Sequence, residues 1–337
     1  MAVVVVTGAS GLLGTNLCFA LIEAGHEVRA LYRSEPTVAH LRADARGAAI
    51  HWYKGELDDA EALQRAFASA DVVFHVAAVV SILPSVTSAM VRGNVEGTRS
   101  ILNAVKKAGV RRLVHTSSVV AVGLADAGGP DATEETVWNL REAGLDDGYS
   151  ITKRESEEMV MKAAQADVDA VVINPAYIFG PWDTKPSSGR FILDITLGKV
   201  PGAPPGCSSF VDVRDVARGM IGAWERGNRG ERYILAGHNL PYAEILKRVA
   251  ACAGVKAPTF KIPYVAAALL GRLGDLQASI TGKEPLLTSS AARWAWTDRF
   301  RFSSAKAERE LGYRISPIEP AINDALAFFR STGMLKS

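Results

Sequence analysis

The chain has 337 residues, of which 48% are hydrophobic, and a formal net charge of +2. This length allows one large domain or two modest ones with a substantial core. The small net charge and the lack of a Lys/Arg run argue against a nucleic-acid partner. Three scattered cysteines, at positions 18, 207 and 252, are typical of a reducing compartment rather than of a disulfide framework. Since no apolar run is as long as a membrane span and no cationic leader precedes the first strand, we expect a cytoplasmic protein without a membrane partner.

The N-terminal segment predicts a strand followed by a phosphate-binding turn. Residues 2–6 (AVVVV) are apolar and β-branched, as in a strand covered on both faces. Gly8 permits a tight turn, Gly11 lets a phosphate approach the backbone, and Gly14 lets the next helix lie close to the sheet. That helix, predicted over about 12–24, would direct its N-terminus at an anion. The spacing G-x-x-G-x-x-G differs from the usual G-x-G-x-x-G, so a turn without a ligand is the alternative.

The end of the second predicted strand bears on the choice of cofactor. HEVRALYR ends without an acidic residue, whereas a carboxylate there would bind the adenosine ribose of NAD. Arg33 stands at this point instead, and a guanidinium suits the 2′-phosphate of NADP. We therefore predict NADP(H), with a solvated surface charge as the alternative role of Arg33.

Strands and helices alternate along the chain. Strands are predicted near 2–7, 27–32, 49–54, 71–76, 110–116, 170–174 and 232–236. The alternation predicts an α/β fold with a Rossmann-type, doubly wound parallel sheet of about seven strands. We assign 1–175, with 210–236 returning to it, to a dinucleotide-binding domain, and 176–209 with 237–337 to a smaller, mainly helical substrate-binding part. In that part we predict helices from Tyr242 to near Gly254, from about Pro263 to Leu273, and from Ser304 to Gly312.

Ligands of such sheets bind beyond the carboxyl ends of the strands. After the third strand, Glu56 and Leu57 could flank the adenine, although an acidic helix cap is equally compatible with this segment. After the fourth strand, Ala77, Ala78 and Val79 would let a dinucleotide lie against the backbone. After the fifth come the hydroxyls of residues 116–118, where a substrate would be.

Tyr149 and Lys153 are four residues apart in a predicted helix, so their side chains share a face. A phenol has a pKa near ~10, and a neighbouring ammonium would favour the phenolate, which makes Tyr149 a usable acid or base. Ser118 can hydrogen-bond a reacting carbonyl oxygen. Lys153 could also hold the nicotinamide ribose. An exposed helix pair is the alternative for an isolated Tyr-x-x-x-Lys.

Taken together, these motifs resemble the extended branch of the short-chain dehydrogenases/reductases over nearly the whole chain. The matching segments are TGASGLLG (7–14), GELDD (55–59), HVAA (75–78), NVEGT (94–98), HTSSVVAVG (115–123), YSITK (149–153), NPAYIFGP (174–181) and FVDVRDVARG (210–219). The resemblance implies a catalytic set of Ser118, Tyr149 and Lys153, with Ser118 preferred to Ser117 because it precedes Gly123 by five. It implies cofactor contacts at Gly8, Ser10, Gly11, Leu12, Leu13, Arg33, Leu57, Ala77, Ala78 and Pro175. Asn94 resembles a helix residue near the cofactor, with a cap or core polar group as the alternative.

Within this branch, RALYRS, SFVDVRDVA and SSAKAERELGY resemble dihydroflavonol reductases, cinnamoyl-CoA reductases and related bacterial carbonyl reductases. The neighbouring sugar-nucleotide epimerases and dehydratases usually carry an Arg just ahead of the Phe-Val segment, and PPGCSSFVDV has none. Arg190 or Arg214 could serve a diphosphate from elsewhere. Four aromatic residues after Pro175 could line an apolar substrate pocket, with core packing as the alternative: Tyr177, Phe179, Trp182 and Phe191.

The interpretation is therefore an NADP(H)-dependent reductase of a ketone or aldehyde, acting as a homodimer on a small-molecule substrate. The alternatives are a sugar-nucleotide epimerase or dehydratase with a recycled cofactor and, less favoured, a dinucleotide-sensing protein without turnover. We predict no metal, because the histidines lack ligand spacing and His75 and His115 are expected to be packed and hydrogen-bonded in strands. The charged stretch KRESEEMVMK (153–162) is expected to be the solvent-facing side of a helix.

Overall fold

A seven-stranded parallel sheet lies at the centre of the computed structural model, which describes residues 1–35, 38–260, 262–281, 285 and 287–336. The strands are β1 (Val3–Thr7), β2 (Glu27–Tyr32), β3 (His51–Lys54), β4 (Val72–His75), β5 (Arg112–Thr116), β6 (Ala170–Pro175), β7 (Tyr177–Phe179), β8 (Cys207–Asp212), β9 (Arg232–Leu235) and β10 (His238–Pro241). The large sheet has the order β3-β2-β1-β4-β5-β6-β9. The predicted doubly wound fold is confirmed.

The helices are α1 (Leu12–Glu23), α2 (Ala39–Arg42), α3 (Ala45–Ala48), α4 (Ala60–Phe67), α5 (Ser88–Met90), α6 (Gly97–Ala108), α7 (Gly148–Ala166), α8 (Gly189–Thr196), α9 (Val213–Arg226), α10 (Tyr242–Ala253), α11 (Tyr264–Thr281), α12 (Ser289–Ala295), α13 (Ala305–Leu311) and α14 (Ile318–Ser331). A π-helical segment, Val91–Glu96, leads into α6, and a 3₁₀ turn, Val119–Ala121, follows β5.

Two apolar cores cover the faces of the sheet. On one face, Leu17 of α1 and Met220 of α9 belong to a core with residues of β1, β4 and β6. On the other, residues of α4, α6 and α7 pack on the same strands. The strands are therefore apolar on both sides, as the runs of Val and Ile predict.

The strand order reverses between β1 and β4, which pair in parallel with Thr7 opposite His75. A crevice beyond the carboxyl ends of the strands at such a reversal is the usual ligand site of this fold. The glycine turn after β1 and the segments after β4 and β5 all lie at this edge.

The smaller part is mainly helical, as predicted, and also contains a separate three-stranded sheet of β10, β8 and β7. It packs with α8, α10 and α14 around a third apolar core. The helix predicted over 263–273 is also longer, because Gly274 does not end it. An added Cβ on Gly274 would lie 2.0 Å from the Leu287 carbonyl oxygen, so this glycine serves a close helix approach.

Helix α11 has an outer face opposite to its packed one. Ala267 is buried, and Gly271 and Gly274 pack against residues 287–289, whereas six large apolar residues of the helix are between 56% and 78% exposed. All of the six but Leu270 lie opposite the two glycines around the helix axis, and we call these five the outer face of α11: Val265, Leu269, Leu273, Leu276 and Ile280. Within the described ranges, no helix is both long and apolar enough to span a bilayer.

Candidate active site

The turn after β1 has the geometry of a phosphate-binding loop. Gly8 has a φ of +71°, and an added Cβ would lie 2.6 Å from the Ala77 backbone nitrogen. At Gly14 an added Cβ would meet the Gly8 carbonyl oxygen at 2.2 Å, so α1 lies tightly against the turn. Gly11, the N-cap of α1, is exposed, and the nearest atom to an added Cβ would be the Gly8 oxygen at 3.4 Å. A phosphate can therefore approach the backbone at Gly11.

The other predicted cofactor residues lie along the same edge. Ser10 is partly exposed in the turn, while Leu12 and Leu13 turn their side chains inward and leave first-turn N–H groups for an anion. Ala77, Ala78 and Val79 follow β4 and are partly or fully exposed. Pro175 is the buried last residue of β6. These positions all follow the carboxyl ends of strands, which is the side of the sheet where this fold binds its ligands.

At the outer strands, Arg33 is exposed directly after β2. Glu56 is exposed and Leu57 half-buried after β3, where Leu57 packs next to Gly97. The alternative of an acidic cap in this segment is realised by Asp59, whose carboxylate accepts from the Ala62 N–H at 2.9 Å. Glu56 itself is not that cap.

Asn94 ties the segment after β4 to α7. Its amide accepts from the Val79 N–H at 2.7 Å and donates to the Val79 oxygen at 3.0 Å and to Thr152 Oγ1 at 3.1 Å. The residue is buried. It is therefore a structural polar group that also fixes a predicted cofactor residue.

Ser118, Tyr149 and Lys153 meet where β5 ends and α7 begins. Ser118 follows β5 with extended backbone, and its Oγ accepts from the Val120 N–H at 3.4 Å. The Ser118 hydroxyl lies near enough to the Tyr149 phenol to oppose the rise of the pKa of that phenol. Lys153 is buried one turn further along α7 and donates from Nζ to the Thr116 carbonyl oxygen at 2.7 Å. The structure thus brings the predicted catalytic set together.

Burial governs the ionisation of this set. It raises the pKa of Tyr149 to about 12, against the opposing effect of the Ser118 hydroxyl. Burial also lowers the pKa of Lys153 to about 8, and the nearby Glu157 carboxylate partly offsets this. We expected the ammonium to lower the tyrosine pKa, but desolvation of the phenolate is the larger effect here. Tyr149 is thus a phenol that retains its proton.

Two buried histidines lie beneath the site, and only one behaves as expected. His75 is hydrogen-bonded by Thr7 Oγ1 at 2.8 Å and Thr98 Oγ1 at 3.2 Å, so its packed and satisfied state is confirmed. Both ring nitrogens of His115 lack a partner among the described residues, contrary to expectation. Burial lowers the pKa of His75 to about 3 and that of His115 well below its usual range, so both rings are neutral.

The charged stretch at 153–162 is not simply solvent-facing. Arg154 and Glu158 are paired on the exposed side of α7, but Lys153 and Glu157 are each 2% exposed. Sequence reasoning missed Glu157, although its spacing of four from Lys153 places both on one helix face.

The predicted pocket aromatics form a cluster on β7 and its neighbours. The ring centroid of Tyr177 lies 5.6 Å from that of Phe179 and 6.0 Å from that of Phe191. Phe179 is completely buried in this cluster, so its assignment to a pocket wall is wrong. Tyr177 and Phe191 keep partly exposed surface. Trp182 packs against Phe19 and Phe328 instead.

The two arginines considered for a diphosphate are already paired. Arg190 binds Asp194, and Arg214 binds both Asp212 and Asp324. A separate depression of about 360 Å³, largely open to solvent, lies between the segment 143–145 and α12. Its lining includes Tyr264, Arg293, Trp296 and Arg299. Across the described ranges, no three His, Cys, Asp or Glu side chains form a potential metal site.

Comparison with known proteins gives consistent matches over the full length. The model of the NAD dependent epimerase/dehydratase family matches residues 4–236. A putative dihydroflavonol 4-reductase of Synechocystis sp. is 33% identical, over 98% of this chain and 96% of the relative. Sterol demethylase protein B of Methylococcus capsulatus is 35% identical, over 98% and 99%. The crystal structure of a nucleoside-diphosphate-sugar epimerase from Pseudomonas aeruginosa aligns with a TM-score of 0.81 at 25% identity, covering 99% of both chains.

Proposed function

Since the chain belongs to the NAD dependent epimerase/dehydratase family and is an extended short-chain dehydrogenase/reductase, we propose that it reversibly reduces a ketone or aldehyde with NADPH. One observation carries the proposal: the Ser118 hydroxyl and the Tyr149 phenol come together at the ligand-binding edge of the sheet, with Lys153 one turn away. This retained set also disfavours a dinucleotide sensor without turnover.

The chain's own groups supply the proton and the orientation. Ser118 donates a hydrogen bond to the substrate carbonyl oxygen, where negative charge develops. Tyr149 gives that oxygen its Oη proton, which a pKa of about 12 keeps on the phenol at neutral pH. Lys153, with a pKa of about 8, is mainly an ammonium at pH 7 and favours the phenolate left behind. When bound, the nicotinamide supplies the hydride.

NADP(H) rather than NAD(H) is supported by Arg33, an exposed guanidinium directly after β2. The pyrophosphate would rest on Gly8, Ser10, Gly11 and the first turn of α1, with the ring end near residues 77–79, Lys153 and Pro175. Glu56 and Leu57 would flank the adenine. The open backbone at Gly11 is the feature of the turn that fits this ligand.

The substrate we propose is a carbonyl compound without a nucleotide. This is supported by the ion pairs that occupy Arg190 and Arg214. Tyr177 and Phe191 offer partly exposed aromatic surface for an apolar substrate. The free state of Cys18, Cys207 and Cys252 supports a reducing, cytoplasmic location.

The test is loss of reduced-nicotinamide absorbance when the protein is mixed with NADPH or NADH and a panel of aromatic, aliphatic and steroid-like carbonyl compounds. For an active compound, Tyr149→Phe should lower kcat by about 10²–10⁴-fold, because the proton donor is lost. Tyr53→Phe on β3 is the matched control and should be unaffected. A Tyr149→Phe enzyme with the wild-type rate would contradict the mechanism.

A sugar-nucleotide epimerase or dehydratase is the second candidate, favoured by the residues that line the open depression beside α12. Two guanidinium groups, of Arg293 and Arg299, line it together with Trp296. Such a lining suits a diphosphate joined to a planar base. The discriminating experiment adds sugar nucleotides to the same assay and follows their conversion by chromatography. Conversion without net NADPH consumption would replace the reductase proposal with this one.

A further inference from the structure

A buried carboxylate that takes no part in the proposed proton transfer lies one turn beyond Lys153. The Glu157 side chain is 2% exposed and belongs to an ion pair with Arg232, at 3.1 Å between Oε1 and Nη1. Its other oxygen accepts from Asn174 Nδ2 at 2.6 Å. Moving two charges out of water destabilises the folded state unless each charge is well paired and hydrogen-bonded. A largely buried ion pair at this position therefore calls for a functional explanation.

Asn174 connects this pair to the catalytic serine. Its Nδ2 also donates to the Ser118 carbonyl oxygen at 2.9 Å. Asn174 lies on β6 next to the end of β5, where the Ser117 N–H donates to the Ile173 oxygen at 2.7 Å. The main chain of Ser118 is therefore held by an amide whose own orientation is fixed by Glu157.

Arg232 holds Glu157 on the side opposite to Asn174. Its guanidinium donates to the Glu134 carbonyl oxygen at 2.9 Å from Nε and to the Thr136 oxygen at 3.2 Å. It reaches Glu157 from β9, the edge strand of the sheet. The carboxylate is thus held from two strands as well as from α7.

The charge of Glu157 also acts on Lys153. The groups around Lys153 are the neutral rings of His75 on β4 and His115 on β5, together with Tyr149 and Glu157 on its own helix. Among these, only Glu157 carries a negative charge that counters the desolvation of the ammonium, and Arg232 in turn faces Glu157.

We propose that Glu157 is a positioning residue for the reaction: through Asn174 it fixes the main chain of Ser118, and its charge holds Lys153 as an ammonium. The inference rests on the proposed reductase function for its kinetic part alone. We call the hold on Ser118 through Asn174 the positional link, and the effect of the Glu157 charge on Lys153 the charge link. The charge link is a property of the protein by itself and can be measured without substrate.

The test compares Glu157→Gln with Glu155→Gln, an exposed position on the same helix. In Glu157→Gln, kcat should fall about tenfold or more, as for loss of a hydrogen bond to a charged group, while the NADPH dissociation constant stays unchanged. The fall of kcat on the alkaline side should begin at lower pH, because Lys153 loses its proton more readily. Glu155→Gln should match the wild type in each respect. Wild-type kcat and an unmoved alkaline limb in a folded Glu157→Gln protein would overturn the proposal.

A second readout separates this proposal from the proposed function. Lys153 can be titrated in ¹⁵N-lysine-labelled protein by NMR, with Lys153→Arg to assign its signal, and its pKa should be lower in Glu157→Gln than in the wild type. If no carbonyl compound is reduced, this titration still decides the charge link, and an unchanged pKa overturns it.

Where Glu157→Gln does not fold, Asn174→Ala tests the positional link. It keeps the Glu157 charge, so the Lys153 titration should remain in place while kcat falls. Full kcat in a folded Asn174→Ala protein would overturn this link.

Discussion

Arg33 is the residue on which the proposed preference for NADP(H) rests. Its guanidinium is exposed beyond β2, and Glu35, the nearby carboxylate, is held by the Tyr32 hydroxyl at 2.6 Å and by Arg42 at 2.9 Å. No carboxylate therefore replaces the arginine as a ribose ligand at this strand end among the described residues. The local charge favours a 2′-phosphate.

Arg33→Asp should reverse the preference. Loss of charge-assisted hydrogen bonds should raise KM for NADPH about tenfold or more, and the new carboxylate should improve use of NADH. The ratio of kcat/KM for the two cofactors measures this. Arg65→Asp is the control, because the last turn of α4 lies at the opposite edge of the sheet from the strand ends. An unchanged ratio in Arg33→Asp would remove Arg33 from cofactor selection.

The proposed catalytic residues were accessible from sequence because their spacing is local. Tyr149 and Lys153 follow the helical period, and Ser118 comes two residues after a strand, β5. Glu157 was hidden because a glutamate in a charged stretch usually faces water, and its partners Asn174 and Arg232 come from distant strands. Phe179 was misassigned because its burial depends on contacts with Phe191 and Phe210 that no local pattern encodes.

Among the strands and helices too, those with a local sequence pattern were predicted and those that depend on distant contacts were not. The central strands β1, β4 and β6 were predicted because each contains a run of buried apolar residues between helices. The three-stranded sheet was not, since Tyr177–Phe179 and His238–Pro241 are short and pair only through β8. Ser304 is indeed the N-cap residue of α13, but its hydroxyl accepts from the Ala236 N–H at 2.9 Å instead of capping the helix.

Helix α7 begins with a capping box that involves a buried acid. Asp147 accepts from the Ser150 N–H at 2.8 Å, and the Ser150 hydroxyl accepts from the Asp147 N–H at 2.8 Å. Burial raises the pKa of Asp147 to about 6. The unfolded chain should have a pKa near ~3.9 at this residue. Between these values the folded state binds the extra proton, so the free energy of unfolding falls as pH rises from about 4 to about 6.

Asp147→Asn should remove this pH dependence and keep the cap, because asparagine caps helices as well as aspartate does. Urea unfolding of the wild type and the variant at about pH 4 and about pH 7 measures it. Between these pH values the wild type should lose the contribution of Asp147 and the variant should not. The variant's free energy of unfolding minus that of the wild type should therefore increase by on the order of 1–3 kcal/mol. Thr87→Asn, at the partly exposed cap of α5, changes no ionisable group and is the control, so it should show no such rise. A constant difference between Asp147→Asn and the wild type would contradict the prediction.

For the whole molecule, the outer face of α11 bears on the expected homodimer. Its five side chains are each more than half exposed. Full burial of such a side chain contributes about 1.5–3 kcal/mol, at roughly 25 cal/mol per Å² of apolar surface. Together the five side chains therefore represent on the order of 400 Å² of apolar surface per protomer. A stable interface buries ~800 Å² per partner, and Leu270 and Phe260, also exposed, lie close to this face in the sequence. The outer face alone covers about half of such an interface, and an exposed apolar patch of this size marks an interaction site. We therefore expect it to lie at the centre of a larger contact between two α11 helices in the expected homodimer.

Leu273→Glu should therefore shift the chain from dimer to monomer, because two buried carboxylates would face each other across a symmetric helix pair. Light scattering after size exclusion, over a range of protein concentrations, measures the shift. Val137→Glu replaces a residue that is 81% exposed outside α11 and should leave the dimer intact. Activity should persist in the Leu273→Glu monomer, since Ser118, Tyr149 and Lys153 come from one chain. A wild-type protein that stays monomeric at high concentration, or a Leu273→Glu protein that stays dimeric, would show that this face does not join two copies.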